Sequence, residues 1–458
     1  MRHSHAAMKD LLARFVTAFK RGIDGELAAM RASAEAFEIP LLRGDDLGTL
    51  RYRFELAAAT QLAAGTVCSL RAPRGEQRVT VERCDATQLT LVATQPIDLT
   101  TPPIALIVAP WFLYDRLVQA LDELDVDRHA VDVALRLFGK QPHARTATVL
   151  RTDHAGLDAS QRAAVQLCSD SDLAFLWGPP GTGKTVTLTH VVEELLAQDQ
   201  RILLVSTTNA AIDQLLAKLA TLPWLAPAIE AGRLIRLGRS TAETFGAELG
   251  DIVDRLHGAH RTSLEQLRAR IGEVAQQVRY AQALAAELAT AGVAQQSLFG
   301  DAAPRLRAAA LVRVFSPGLA ELIARAQPAE QRHAIEHRIA RLERIRTLAR
   351  ARIAQHAAAD RDLEARIVTG ARVVMCTLTN AHLAPVMAGQ RFDVLIAEEA
   401  GMATLPGLFY AAGLCRRAAI VVGDPRQLPP IVQSNDDLVR RAIGRSVFDV
   451  TIPDPLRS

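Results

Sequence analysis

Apolar positions change period along this chain, and each change predicts a change of element. Between residues 8 and 38, Leu11, Leu12, Phe15, Phe19, Ile23 and Leu27 recur three and four apart, which predicts one amphipathic helix. From about Arg51 to Pro110 the period drops to two. Segments 66–71 (TVCSLR), 77–83 (QRVTVER) and 88–93 (QLTLVA) alternate and are separated by Gly, Pro and Asp turns, the pattern of a small β-barrel. Residues 111–138 return to helical spacing, so the barrel is expected between two helical stalks, with 145–156 as a linker. Short continuous apolar runs then alternate with helical segments from Asp158 to about Leu237 and again from Ile367 to about Val432. The expected strands are 173–177, 202–205, 234–237, 373–376, 394–397 and 418–422. Apolar runs without alternation, set between helices, mean a parallel sheet covered on both faces. Between the two blocks, Leu264, Leu267, Ile271, Val274 and Val278, followed by Ile335, Ile339, Leu342 and Ile353, predict an antiparallel helical hairpin. The expected class is α/β: a parallel sheet from 151–240 and 366–458, a hairpin inserted at 241–365, and a stalk-borne barrel at 1–150.

Composition narrows the class without naming a function. A chain of 458 residues has room for about three domains, and 49% hydrophobic against 22% charged residues describes a folded protein rather than a disordered one. The most apolar run, 104–113, is broken by Pro110 and is far shorter than the roughly 20 residues of a membrane span, and the amino terminus carries Asp10, Arg14 and Lys20 through its apolar stretch. No membrane contact is expected, and the expected location is cytoplasmic. Cys68, Cys84, Cys168, Cys376 and Cys415 are scattered and form no CxxC pair, so neither a disulfide framework nor a zinc site is expected. A net charge of +3 neither requires nor excludes nucleic acid, because a basic face need not move the total. The arginine-rich run 338–352 is expected to be a solvated helix face before a phosphate contact.

The chemistry begins at Gly178, where GPPGTGKT runs to Thr185 between the apolar strand 173–177 and the helical segment 186–197. Gly178, Pro179, Pro180, Gly181, Thr182 and Gly183 form a loop whose backbone N–H groups can curl around phosphates, and the next helix points its positive end at them. Lys184 is expected to reach the β- and γ-phosphates and Thr185 to hold Mg²⁺ through its hydroxyl. This predicts binding of a nucleoside triphosphate, but the loop alone does not select a reaction.

Five further segments stand in the order of a superfamily 1 helicase. Residues 157–165 (LDASQRAAV) resemble its Q motif, with Gln161 as the implied reader of adenine. Residues 203–215 (LLVSTTNAAIDQL) resemble motif Ia, which implies backbone contacts to a nucleic-acid strand from Ser206, Thr207 and Asn209. Residues 373–379 (VVMCTLT) resemble the next strand-end motif, with Thr377 in the same role. Residues 392–403 (FDVLIAEEAGMA) resemble the Walker B strand, in which Glu399 falls at the catalytic position and Glu398 replaces the family's metal-holding aspartate. Met402 stands where many members carry glutamine. Residues 423–430 (GDPRQLPP) are a full motif III, with Gln427 placed to sense the γ-phosphate and Asp424 to relay that state; this motif does not belong to ring-forming AAA+ ATPases. With the barrel and hairpin, the chain resembles the nonsense-mediated-decay helicase group. The resemblance implies a P-loop RecA-like fold, ATP and Mg²⁺ as cofactors, and single-stranded DNA or RNA as partner.

That group uses two RecA-like domains, and these residues resemble only the first. The expectation is an ATP-binding amino-terminal portion of a helicase or translocase, incomplete as this chain alone. The alternative is an ATP-gated nucleic-acid-binding module with little turnover. Arginines of the second domain contribute on the order of 10³–10⁵ in rate in related systems, so hydrolysis by this chain alone is expected to be very slow, unless a second chain supplies them. Lys184→Ala is expected to abolish ATP binding, read by equilibrium titration, while leaving circular dichroism unchanged; unaltered affinity would remove the loop from the site.

Overall fold

The structure, a computed structural model, describes residues 5–33, 37–48, 50–57, 62, 66–73, 75–85, 87–99, 104–108, 112–126, 131–139, 146–179, 181–223, 225–238, 240, 245–295 and 306–452. The amino-terminal stripe forms α1 (His5–Ser33), but the chain is already extended at Phe37, so the helix expected over 8–38 is shorter; 34–36 lie outside the described residues. The extended segment is β1 (Phe37–Gly48), followed by β2 (Arg51–Leu56), β3 (Val67–Ala72), β4 (Gly75–Asp85), β5 (Gln88–Ala93) and β6 (Ile104–Val108). They close a barrel in the order β1-β2-β5-β4-β3-β6, with every pair antiparallel. The barrel therefore starts at Phe37 rather than near Arg51. The register of β1 shifts between Leu41 and Gly44 and again between Asp46 and Gly48, and these irregularities break the alternation that marks its neighbours. Inside, Tyr52, Phe54, Leu70, Val79, Val81, Leu89, Leu91 and Leu106 make a small dry core.

The helical stretch expected over 111–138 is two helices, α2 (Phe112–Asp122) and α3 (Asp132–Phe138), with 127–130 outside the described residues. Helices α1 and α3 leave the barrel and pack on the nucleotide-binding unit described next. That unit opens with α4 (Ala159–Asp170), β7 (Leu173–Trp177), α5 (Lys184–Ala197), β8 (Ile202–Ser206), α6 (Asn209–Leu219), α7 (Leu225–Glu230) and β9 (Leu234–Arg236). The insertion follows as α8 (Leu249–Gln295), α9 (Ala308–Leu311), α10 (Pro317–Arg325) and α11 (Pro328–Gly370). The chain then completes the sheet with β10 (Val373–Thr377), α12 (Leu378–Leu383), β11 (Phe392–Ala397), α13 (Leu405–Gly413), β12 (Cys415–Gly423), α14 (Asp437–Ile443) and α15 (Val447–Thr451).

Six strands pair in the order β7-β12-β11-β8-β10-β9, all parallel. β8, β10 and β11 are buried at every position, as strands covered on both faces must be. One face packs on Val165, Leu188, Val192 and Leu216 of α4, α5 and α6. The other packs on α13 and receives the accessory helices: Phe15 and Phe19 of α1, Phe138 of α3 and Phe409 of α13 form an aromatic cluster with centroids 5.3–6.2 Å apart. Further along α1, glycine at 22 and 25 allows close approach to α14, since a Cβ there would stand 2.5 Å from Ala442 and 2.4 Å from Val439. The buried Glu26 carboxylate accepts from the backbone N–H of Gln433 and Ser434 at 2.7 and 2.9 Å, tying α1 to the segment after motif III.

In the insertion, Ile271 meets Ile353, Val274 and Val278 meet Leu342, and Leu284 and Leu288 gather with Ile335. Rising numbers on α8 against falling numbers on α11 make the pair antiparallel, with the short α9 and α10 near its tip; the side chain of Leu264 lies outside those described. Across the arginine-rich run, Arg341, Arg344 and Arg352 are exposed while Arg338 donates to the Val314 carbonyl at 3.1 Å. Among the described residues, no helix is long and apolar enough to cross a membrane.

Arg236 closes β9 wholly buried, donating to Asp213 Oδ1 at 2.9 Å and to Asn209 Oδ1 at 3.0 Å. Removing one partner of a buried pair strands the other charge, so Asp213→Ala is expected to cost about 3–5 kcal/mol in denaturant unfolding. The double variant Asp213→Ala/Arg236→Met is expected to be markedly less destabilised than the single one.

Candidate nucleotide site and its family

The phosphate loop joins β7 to α5 as the period change at residue 178 requires. Gly181 and Gly183 take left-handed φ of 84° and 81°, and Gly183 is the residue that caps α5. A Cβ at 183 would stand 2.5 Å from Gln161 Nε2, so the position needs glycine for its conformation and for the approach of that amide. Thr182 Oγ1 donates to the Pro179 carbonyl at 2.8 Å, and Lys184 Nζ folds back to donate to the carbonyls of Gly178 and Pro179. The loop lysine is thus held by the loop's own acceptors, which bound phosphate oxygens would replace. Thr185 is half-buried in the first turn of α5, and Pro180 lies outside the described residues.

Gln161 sits in the first turn of α4, where Asp158 caps the helix. Asp158 Oδ1 accepts from Gln161 N at 2.8 Å, Gln161 Oε1 accepts from Asp158 N at 3.2 Å, and Gln161 Nε2 donates to the Thr182 carbonyl at 3.4 Å. Both ends of the amide are engaged, one with its own helix and one with the phosphate loop.

At the end of β11, Glu398 N donates to the Val205 carbonyl at 2.8 Å, and Glu399 turns the chain out of the strand with φ 52°. Glu398 is buried, and its Oε2 has no hydrogen-bond partner among the described residues. Burial, with the Glu399 charge beside it, pushes its carboxyl up to about 7, against a smaller downward pull from Lys184. A buried carboxyl oxygen without a partner, beside a second carboxylate and reached by the field of the loop lysine, fits a divalent cation that takes oxygen ligands, as does the Thr185 hydroxyl.

Motif III leaves β12 alongside. Asp424 Oδ1 accepts from Arg426 N at 2.9 Å and from the Trp177 indole N–H at 3.0 Å, and these bonds, with Lys184 and Arg426 nearby, hold its carboxyl below the usual range. The Arg426 guanidinium lies 5.1 Å from the Trp177 ring centroid, so the residue before the phosphate loop is clasped by motif III. Gln427 is half-buried, and its N–H donates to the Asp424 carbonyl at 3.1 Å. The Trp177 contacts escaped sequence reading; a tryptophan ending a buried strand was the available signal.

The structure brings Lys184, Glu398, Glu399 and Asp424 together but treats the strand-contact candidates unevenly. Ser206 is wholly buried with Oγ unpartnered among the described residues, and the buried Thr377 caps α12 by accepting from Asn380 N at 3.2 Å. Thr207 and Asn209 are half-buried, and Asn209 already accepts from Arg236. Met402, 39% exposed, lies within one turn of Glu399.

Because folding favours the neutral Glu398, its contribution to stability is whole below the ordinary value of 4.5 and is lost as pH rises through about 7. In buffer without nucleotide or Mg²⁺, Glu398→Gln is expected to raise the melting temperature at pH 8, by roughly 2–4 °C for each kcal/mol recovered, and to change it little at pH 5.

A family model described as an AAA domain matches residues 156–435, more than half of the chain. The DNA polymerase alpha-associated DNA helicase A of Schizosaccharomyces pombe is 27% identical over 279 residues, 61% of this chain and 33% of that protein. The ATP-dependent helicase NAM7 of Saccharomyces cerevisiae is 29% identical over 192 residues, covering 39% of this chain and 19% of that one. A regulator of nonsense transcripts 1 homolog of Arabidopsis thaliana is 29% identical over 197 residues, 41% of this chain and 15% of that protein. The chain spans about a third or less of the length of these relatives. With the family model and the motif III geometry in agreement, the chain belongs to the superfamily 1 helicases of the nonsense-mediated-decay group.

Proposed function

We propose that this chain is the ATP-binding portion of an ATP-dependent helicase or translocase acting on single-stranded DNA or RNA. The observation that carries the reading is the meeting of Lys184, Glu398, Glu399 and Asp424 at one edge of the parallel sheet. The loop N–H groups and the amino terminus of α5 cradle the phosphates of ATP, Lys184 leaves its carbonyls for the β- and γ-phosphates, and Gln161 leaves Asp158 N and the Thr182 carbonyl to read adenine. Mg²⁺, when bound, neutralises charge on the β- and γ-phosphates, and Thr185 and Glu398 are the residues that would hold it. Glu399 acts as general base toward water, Gln427 senses the γ-phosphate, and Asp424 with Arg426 passes that state to Trp177. Thr207 and Asn209 follow β8 at the sheet edge that carries the phosphate loop, and this position supports contact with a single strand, with Ser206 and Thr377 one layer beneath. Helices α1 and α2, on either side of the barrel, support the reading of helical stalks. A second RecA-like domain, on the same or another chain, would supply the arginines for fast turnover.

The glutamate at the position of the family's metal-holding aspartate favours a second reading, in which ATP gates the grip on nucleic acid with little turnover, since its extra methylene shifts the carboxylate that would hold the cation. One set of assays separates the two: hydrolysis raised by a single strand favours the first, and slow hydrolysis indifferent to it favours the second. Glu399→Gln is expected to keep ATP affinity and to lower the steady-state hydrolysis rate by about 10²-fold or more. Affinity for a fluorescent single-stranded oligonucleotide should differ several-fold between ATP-bound and free protein. A hydrolysis rate unchanged in Glu399→Gln would displace that residue as base, and oligonucleotide affinity indifferent to nucleotide would remove both readings.

A further inference from the structure

His190 and Glu193 lie on α5 beyond the phosphate loop, His190 about 9 Å along the axis from Lys184 at 1.5 Å per residue. There they meet His154, which stands four residues before the Asp158 cap. His154 Nδ1 is 3.2 Å from His190 Nδ1, Glu193 Oε2 is 3.7 Å from His190 Nδ1, and the three ligand atoms lie within 4.8 Å of one another. The two rings meet edge to face at 80°.

The neighbours of His154 fix its tautomer. The Thr152 hydroxyl donates to Glu194 Oε2 at 2.9 Å, so its oxygen is left to accept from His154 Nε2–H at 3.1 Å. Glu194 Oε2 is itself 3.5 Å from that nitrogen, and its carboxylate is buried and anchored by the N–H groups of Arg151 and Thr152 at 2.9 and 3.0 Å. His154 Nδ1 therefore carries a lone pair and is set against a second imidazole nitrogen. Hydroxyl and carboxylate behind one ring nitrogen, with the other left as a donor of electrons, is the support that metal-binding histidines have in proteins.

We propose that His154 Nδ1, His190 Nδ1 and a Glu193 carboxylate oxygen bind a divalent transition metal of the zinc class, with water as fourth ligand. Tetrahedral zinc with bonds of about 2.0–2.1 Å sets its nitrogen ligands roughly 3.3–3.4 Å apart, close to the spacing here. Two imidazoles and one carboxylate suit zinc, whereas Mg²⁺ prefers oxygen alone, so this site is chemically separate from the one at Thr185 and Glu398. The metal would join the segment that leads into Gln161 to the helix that begins with Lys184, restraining two parts of the nucleotide pocket against each other.

The test is titration of the full chain with Co²⁺ in excess Mg²⁺, with His3→Ala and His5→Ala in every form to remove the amino-terminal pair. One equivalent of Co²⁺ is expected to give the intense visible absorption of a four-coordinate site, displaced by Zn²⁺. His190→Gln and Glu193→Gln should each weaken binding by at least about 10-fold, and Zn²⁺ should raise the melting temperature of the parent but not of the variants. Should His190→Gln fail to fold, Glu193→Gln carries the test, since its side chain is 25% exposed. Only the faint absorption of six-coordinate Co²⁺, or undiminished affinity in a folded variant, would overturn the proposal and leave the two imidazoles bonded to each other alone.

Discussion

The in-register parallel sheet is the constraint on which the rest of this molecule depends. Gly423 pairs with Trp177, Ala397 with both Val421 and Val205, and Thr377 with Ser206, so five strands end along one edge of the sheet. Each strand is followed there by one piece of the site: the phosphate loop after β7, Thr207 after β8, α12 after β10, Glu398 after β11 and Asp424 after β12. A slip of one residue in any pair would exchange the two packed faces and move a carboxylate from its lysine. The chemistry is therefore assembled by backbone pairing, and the side chains need only be the right type at the strand ends.

Polar residues hold both ends of the sheet and its attachments in place. Arg201, ahead of β8, donates to the carbonyls of Ala371, Arg391 and Val368 and to Gln390 Oε1, while Asp393 accepts from its N–H and its guanidinium lies 4.4 Å from the Phe392 ring centroid. One side chain thus pins the end of the inserted hairpin to the strand that carries the Walker B carboxylates. Glu26 does the same for α1 at the segment after motif III. The hairpin is rooted at the start of the strand that ends in Glu398, and α1 just after motif III, by groups whose hydrogen bonds are costly to leave unmade away from water.

Legibility in the sequence followed the range of the interactions concerned. The loop 178–185 and motif III were readable because glycine, proline and charge at fixed spacing dictate local backbone. The hairpin was readable from its helical period, although its short tip helices were not. β1 was hidden because Gly44, Asp45 and Asp46 look like a turn, and only pairing with β2 and β6 makes 37–48 extended. Nothing in the expected strand 234–237 marks Arg236, yet Asp213, 23 residues earlier, takes its charge into the core. Ser206 and Thr377 carried the residue types of strand-end contact positions, but the burial that encloses them arises only when helices cover both faces.

By itself the sequence determined a phosphate-binding loop, a Walker B strand, motif III and the alternation that makes a parallel sheet, because these depend on residue type and short spacing. Tertiary structure alone decided that Glu398 is buried with an unpartnered oxygen, that Trp177 is held by Asp424 and Arg426, and that His154 meets His190 and Glu193. Those outcomes join residues 36 to 249 positions apart, and their energetics come from desolvation and proximity, which no local spacing encodes.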